Sequence, residues 1–394
     1  MQSLVLQPDE EGLCKAGELL RAGQLVAFPT ETVYGLGANA LDEAAARGIF
    51  IAKGRPMTDP LIVHVCAAAD ATPLIDIDGE AEAVFKMLGE AFWPGPLTLI
   101  VRAASCVPGV ITANTGMVGI RSPSHPIAQQ LLQAARVPVA APSANLFGHV
   151  SPTRCEHVLA DLGSKGVSVV YGDSPEHLQH TCVHGIESTV AKLDAPKKTV
   201  FLLRQGAITR QQILGALRNS VFVDWGVELV VRSVAMVATD ANALVECSAL
   251  NEGELAPGQA ITHYAPNIPC VIAETVQIVN SSSGESSSSS SSSSCDRNMT
   301  FSAAELKKTV VLDFGGVLSE VKDHVLAYND LSPDRDTAVG ARSLFLSLRW
   351  AEAVPGAEHV ILADISPGEG AGAAQFLDSV GPGLADRMQR AASG

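Results

Sequence analysis

The sequence predicts an α/β protein of two domains. Three observations carry that prediction: short apolar runs alternate with helical stripes, the chain has 394 residues, and 47% of them are hydrophobic against 18% charged. A chain of this length exceeds what a single core usually supports, and the composition suits packed interiors.

The elements follow in order. Leu13, Ala16, Leu19 and Leu20 fall on one helical face, and Gly23 suits the cap that ends the helix. Leu25 to Phe28 reads as a buried strand running into Pro29, and Leu61 to Val65 as another. Ala81 to Phe92 reads as a helix stopped ahead of Pro94, because the residue before a proline is pushed out of helical geometry. Pro126 suits a first helical turn, with Ile127, Leu131, Leu132 and Ala135 as its inward stripe. Val137 to Ala141 and Val167 to Tyr171 continue the alternation.

Residues 1–217 thus form a first domain, 218–269 a connector and 270–394 a smaller α/β domain. From about Arg218 to Leu255 the periodicity weakens, and a compact motif running from Pro257-Gly258 to His263-Tyr264-Ala265-Pro266 follows. The nine serines at 286–294 dominate a tract at about 280–300. Such a tract has no apolar surface to offset chain entropy, so a disordered surface loop is expected. Beyond it, Thr309 to Phe314 and His359 to Ile365 read as strands, and Ala338 to Ala353 and Leu384 to Ala392 as helices.

Composition also excludes some functions. The net charge of −15 opposes broad binding to nucleic acid, which needs Lys and Arg to neutralise phosphates. Any bound anion must sit in a local basic pocket. The eight cysteines are scattered without a CxxC pair, which reads as reduced structural thiols and no metal site. No apolar run approaches the ~20 residues of a membrane helix, and the N-terminus resembles neither a signal nor a transit peptide. A cytoplasmic protein is expected.

Candidate chemistry lies on loops beside strand ends. Pro29-Thr30-Glu31-Thr32-Val33-Tyr34-Gly35-Leu36-Gly37 joins polar groups to glycines that permit close backbone approach. By itself it reads best as a polar turn, and a dinucleotide loop built on Gly35, Gly37 and Ala40 is a weak rival. Lys53-Gly54-Arg55-Pro56 places two cations on a Gly/Pro turn, where both heads can reach one phosphate. Asp59 follows, and His64 lies within a strand, where a lone histidine is usually structural. Trp93-Pro94-Gly95-Pro96-Leu97-Thr98 shapes a turn and carries no assigned chemistry. Arg121 ends a strand. Pro142-Ser143-Ala144-Asn145 and Ser151-Pro152-Thr153 offer hydroxyl and amide groups, Glu187-Ser188-Thr189 another, and Arg204 a further cation beside Gly206. Taken singly, each reads as a cap, a turn or a surface pair. Among 27 basic residues, however, Lys53, Arg55, Arg121 and Arg204 all sit on short turns near Gly or Pro, as a polyphosphate site requires.

In order, PTETVYGLG, KGRP, PLIVH, WPGPLT, GIRSP, PSAN, ESTV and LRQGAIT resemble the YrdC-type threonylcarbamoyl-AMP synthases in their longer, two-domain form, from about Leu25 to Thr209. PGQAITHYAP resembles that family's interdomain linker, and the stretch around 327–333, more loosely, its appended domain. The resemblance implies a twisted mixed-sheet YrdC-like catalytic domain and a smaller Rossmann-like one. It implies that L-threonine, bicarbonate and ATP, with magnesium, give threonylcarbamoyl-AMP and pyrophosphate. The product would pass to a separate transferase complex that modifies tRNA adenosine. Residue by residue, it implies Lys53 and Arg55 as the catalytic cations. ATP would be held by these two with Asp59, Met117, Asn145, Thr153, Arg204 and His263, and threonine by Thr32, His64, Arg121, Ser143 and Ser188. Asp59 stands where the family usually has asparagine, Met117 where a hydroxyl residue is common, and Gln259 and Ile261 alter the linker pattern.

Three rivals remain. One is an RNA-binding module of the same fold without synthase activity. The second is a hydrogenase-maturation carbamoyltransferase, whose CxxC pairs this chain lacks. The third is a phosphatase built on Leu312-Asp313-Phe314-Gly315-Gly316, where a glycine replaces the second aspartate and a buried strand end is favoured.

Overall fold

A computed structural model describes residues 3–230, 264–279, 297–367 and 371–393. The chain packs as two compact units, residues 1–147 with 151–261 and residues 148–150 with 262–394.

The first unit contains β1 (Val5–Leu6), β2 (Val26–Phe28), β3 (Gly35–Asn39), β4 (Ile62–His64), β5 (Leu97–Arg102) and β6 (Met117–Arg121). It continues with β7 (Val139–Ala140), β8 (Ser168–Val170), β9 (Thr189–Asp194), β10 (Thr199–Arg204) and β11 (Gly226–Leu229). These strands form one sheet in the order β1-β8-β2-β3-β7-β4-β6-β5-β9-β10-β11. Pairing is mixed: β4 and β6 run parallel, β5 and β6 antiparallel. Strand β11, which lies in the stretch read as connector, pairs parallel with β10.

The helix Glu10–Arg21 starts where Asp9 accepts a hydrogen bond from the Gly12 N–H at 2.8 Å, and it buries Leu13, Ala16, Leu19 and Leu20. Ala22 is its cap, and Gly23 follows with φ 76° in the left-handed region. The helix packs with Pro126–Ala135 over Val26, Phe28 and Val139. Gly17 allows the close approach, since a Cβ there would lie 2.7 Å from the backbone of Ala134. A second, larger core gathers Ile49, Phe50, Phe85, Leu88, Leu99 and Ile120. Each such side chain contributes roughly 1.5–3 kcal/mol on leaving water.

Two local differences from the sequence reading bear on the site. Gly35–Asn39, which opens within the stretch read as a polar turn with a dinucleotide loop as weak rival, is a strand antiparallel to β2 with Gly35 opposite Phe28. A Cβ at Gly37 would come within 2.9 Å of Val139 and 3.0 Å of Phe28, so the glycine makes room for neighbouring strands. Glycines inside a strand cannot form a dinucleotide turn, and that reading is discarded. Lys53, placed on a turn, is the last residue of the helix Glu43–Lys53, which Gly54 ends at φ 65°.

The second unit has a parallel sheet of β12 (Cys270–Ala273), β15 (Thr309–Asp313), β16 (Ala327–Asp330) and β17 (His359–Ala363), ordered β12-β17-β15-β16. A separate two-stranded sheet pairs β13 (Thr275–Val279) with β14 (Asn298–Ser302) in parallel. The helices Thr337–Ala353 and Gly381–Ala391 pack together. Tyr264 is buried in this unit, 5.2 Å from the Phe345 ring, with the Arg387 guanidinium 5.8 Å from its ring centre. The serine tract and the linker residues up to His263 lie outside the described residues.

Asp313 is a buried strand end. Its carboxylate accepts from the N–H groups of Phe314 at 2.7 Å and Leu318 at 3.0 Å, and from the Tyr328 hydroxyl. Asp330 accepts from Gly315 and Gly316, at 3.1 and 3.0 Å. These bonds fix the Phe314-Gly315-Gly316 turn and account for both aspartates without phosphatase chemistry.

Candidate active site

The predicted cations are inside the first unit. Lys53, Arg55, Arg121 and Arg204 are 2%, 6%, 4% and 8% exposed, a state these residues adopt only when partnered. Thr32, His64, Asn145, Thr153 and Ser188 are also buried. Asp59, Met117 and Ser143 are half-buried.

Strand register gathers several of them. His64 on β4 lies opposite Arg121 on β6, and Leu99 on β5 lies opposite Ile120, which puts Thr98 beside Arg121 one step along. Thr98 in turn lies opposite Val190 on β9, and Val190 opposite Arg204 on β10, where a register shift between Leu202 and Arg204 re-aims the arginine. One line of register therefore crosses five strands and carries His64, Arg121, Thr98 and Arg204. Ser188 completes it: its hydroxyl is 2.8 Å from that of Thr98 and accepts from Arg204 Nη2 at 3.1 Å, while Arg204 Nε donates to the Ser188 carbonyl at 3.0 Å.

Glu31 stands against this row. Its Oε1 lies 2.6 Å from Arg121 Nη2, with both side chains buried. Burial alone would raise the Glu31 carboxyl, but the Arg121 charge and hydrogen bond hold it below the usual range, so it is ionised at neutral pH. His64 is pushed down to about 3 by burial first and by Arg121 second, so its ring is neutral. Three buried atoms in this trio have no hydrogen-bond partner: Glu31 Oε2, Arg121 Nε and His64 Nδ1.

A second group is built around Lys53. Its ammonium donates to the carbonyl oxygens of Ser143 at 2.6 Å and Asn145 at 2.5 Å, and lies 3.4 Å from Asn145 Oδ1. The same turn is tied to the PTETVYG segment through the Gly35–Ser143 bridge and the Ala144 N–H to Tyr34 carbonyl bond of 2.9 Å. Arg55 reaches the Asp59 carboxylate at 2.9 Å and the Pro60 carbonyl at 2.8 Å. The acid that replaces the usual asparagine is thus a counter-ion of Arg55.

The remaining predicted residues lie outside these contacts. Thr32 Oγ1 is 2.8 Å from Thr30 Oγ1. Met117 opens β6 with its N–H on Thr115 Oγ1 at 3.1 Å. Thr153 keeps a buried hydroxyl without a hydrogen-bond partner. His263 falls outside the described residues. Sequence reasoning missed two residues here, Thr98 in the row and Glu31 against it. Glu31 was visible only as the acid of PTET, and Thr98 closes the turn that was given no chemistry. Trp93 stabilises that turn by donating to the Leu97 carbonyl at 2.6 Å and meeting Phe85 edge-on.

Comparison with known proteins matches this layout. A family model described as Telomere recombination matches residues 18–206, and one described as Threonylcarbamoyl-AMP synthase, C-terminal domain, matches residues 208–393. The chain is 41% identical over 273 residues to the threonylcarbamoyl-AMP synthase of Bacillus subtilis, covering 68% of each protein. It is 38% identical over 260 residues to that of Pyrococcus abyssi, covering 66% of this chain and 67% of the relative. The crystal structure of Pyrococcus abyssi Sua5 complexed with L-threonine aligns with a TM-score of 0.67 at 27% identity, covering 100% of this chain and 98% of that one. With both domain models matched and such relatives aligned over two thirds of their length, the chain belongs to the two-domain threonylcarbamoyl-AMP synthase family.

Proposed function

We infer that the chain is an adenylate-forming transferase that condenses L-threonine, bicarbonate and ATP into threonylcarbamoyl-AMP and pyrophosphate. Family membership supports the activity. The observation in the site that carries it is the buried Glu31–Arg121–His64 trio, whose unpartnered donor and acceptor atoms suit a small polar ligand.

In this reading threonine lies along Thr32, His64, Arg121, Ser143 and Ser188, and Arg121 takes its carboxylate. The ammonium gives up a proton, and the free amine then takes the carbon of bicarbonate with loss of water. The resulting carbamate oxygen then bonds to the α-phosphorus as the bond to pyrophosphate breaks. Such a displacement needs positioning and neutralised charge more than covalent help. Lys53, Arg55, Asp59, Met117, Asn145, Thr153, Arg204 and His263 are assigned to ATP, which arrives as its magnesium complex. Lys53 acts there by fixing the Ser143–Asn145 turn, and Arg55 has its head held by Asp59 and Pro60. Among the described residues no helix is long and apolar enough to cross a membrane. A cytoplasmic site of action, with the product passed to a tRNA-modifying transferase complex, completes the reading.

The test is pyrophosphate release from ATP and bicarbonate with and without L-threonine, using serine as control. Release that requires threonine and bicarbonate and disappears in Arg55→Ala is expected. A folded protein without threonine-dependent release sinks the reading and favours the RNA-binding module.

A further inference from the structure

Glu31 lies outside the residues assigned to either substrate, yet its side chain is buried and its backbone is tied down on both sides. Its backbone carbonyl accepts from the His184 N–H at 3.0 Å, and that of Thr30 from the Cys182 N–H at 2.9 Å. The Thr30 hydroxyl folds the loop by donating to the Val33 carbonyl at 2.6 Å. The carboxylate is therefore set in place before any ligand arrives. One oxygen is taken by Arg121, and the other, Oε2, is buried without a hydrogen bond. Buried carboxylate oxygens are rarely left so, because an unmet acceptor is costly.

The three unpartnered atoms differ in kind. Arg121 Nε can only donate, Glu31 Oε2 in its ionised state can only accept, and His64 Nδ1 does either according to tautomer. A β-hydroxy-α-amino acid carries the complementary set: a carboxylate that accepts, an ammonium that donates, and a hydroxyl that does both. Charge points the same way. A lone buried arginine would hold any carboxylate, whereas the Glu31–Arg121 pair is already neutral. A simple carboxylate would leave the pocket one negative charge in excess, and a zwitterion would keep it balanced.

Resting on the amino-acid site proposed above, we propose that Glu31 is the specificity-determining acceptor for the substrate ammonium, making this a site for zwitterions and not for carboxylates at large. Arg121 then takes the carboxylate and His64 the side-chain hydroxyl.

The probe is (R)-3-hydroxybutyrate, which keeps the carboxylate, hydroxyl and configuration of L-threonine but lacks the ammonium. Calorimetric titration of the full chain should show threonine bound on the order of 100-fold more tightly than this analogue, the scale set by an unpaired buried charge. In Glu31→Gln, threonine should weaken on the order of 30-fold while the analogue holds or tightens, because Arg121 loses its counter-ion. Glu31→Asp, which keeps the charge, should retain a preference for threonine. A parallel loss of both ligands in Glu31→Gln would mark Glu31 as merely structural and overturn the proposal. If Glu31→Gln does not fold, the native chain decides alone: binding of the analogue within tenfold of threonine overturns it. Failure of the native chain to bind threonine at all sinks the amino-acid site itself. Threonine binding without preference sinks only the role of Glu31.

Discussion

Glu31 in the first unit and Asp313 in the second are both buried carboxylates close to a strand end, and their surroundings differ in kind. Asp313 is enclosed by its own neighbourhood: two backbone N–H groups and the Tyr328 hydroxyl. Asp330 beside it is occupied in the same way by Gly315 and Gly316. Glu31 has a single cationic partner and keeps one oxygen unmet. A carboxylate whose acceptors are filled by nearby backbone holds a turn. One paired with a buried arginine that still keeps an oxygen without a hydrogen bond is open to a ligand. The comparison favours the proposed ligand site on the first sheet and a scaffolding role for the loop after β15.

Arg121→Ala should separate the two roles most strongly. It strands Glu31 as a buried, unpaired charge, so stability should fall by about 3–5 kcal/mol. Threonine-dependent pyrophosphate release should vanish with it. Replacing both partners, as in Glu31→Gln with Arg121→Gln, should recover most of the stability and none of the turnover. Denaturant unfolding alongside the release assay reads both, and a double variant that regains turnover would refute a role for the pair in binding. Asp313→Ala should reverse the pattern. It leaves buried N–H groups unmet and should cost the second unit on the order of 3 kcal/mol, with turnover per folded molecule unchanged.

Acid should act on the first unit in a predictable direction. His64 is held down to about 3 and His125 to about 4, both mainly by burial, against an ordinary value of 6.5. A depressed histidine makes the folded state prefer the neutral ring. Its contribution is therefore complete above pH 6.5 and lost as pH falls towards the folded value. Glu31, also depressed, adds a loss of the same sign below 4.5. Stability should thus decline from about pH 6.5 downward. His64→Gln should flatten that slope by up to about 1.4 kcal/mol per pH unit. An unchanged slope in chemical denaturation between pH 6.5 and 4 would show that His64 is not held neutral by the fold.

How much of this could be read from the sequence depends on what each feature rests on. The stripe of Leu13, Ala16, Leu19 and Leu20 is local periodicity, and it appears as the inner face of the Glu10–Arg21 helix. The four cations were visible because, among only 27 basic residues, each lies close to Gly or Pro in a short turn pattern. Strand β3 was not, because Gly35 and Gly37 are chosen for the approach of Phe28 and Val139, a tertiary demand that overrides propensity. Thr98 and Glu31 escaped for a related reason. Nothing in WPGPLT signals that register will carry Thr98 to Arg121 and Ser188, and nothing in PTET says which acid meets Arg121, 90 residues away. The roles proposed for Lys53 and Arg55 rest on the family resemblance, whereas their grip on carbonyls of the Ser143–Asn145 turn and of Pro60 needed coordinates.

The smallest expected effect sharpens the comparison furthest. Thr98→Val keeps the β-branched shape in β5 and removes only the hydroxyl that meets Ser188 at 2.8 Å. Ser188 would still be held by Arg204 Nη2 at 3.1 Å, so the row should loosen without breaking. A single neutral hydrogen bond is worth about 1 kcal/mol, which predicts a three- to tenfold fall in kcat/KM for threonine. Tyr328→Phe is its counterpart in the second unit, removing the hydroxyl that reaches Asp313. It should lower stability by a similar amount and leave kcat/KM unchanged. If both variants shift stability alone, the row across β4, β6, β5, β9 and β10 is packing and its members only fill the sheet. If Thr98→Val lowers kcat/KM while Tyr328→Phe does not, the hydroxyl chain positions Ser188 and Arg204 for substrate.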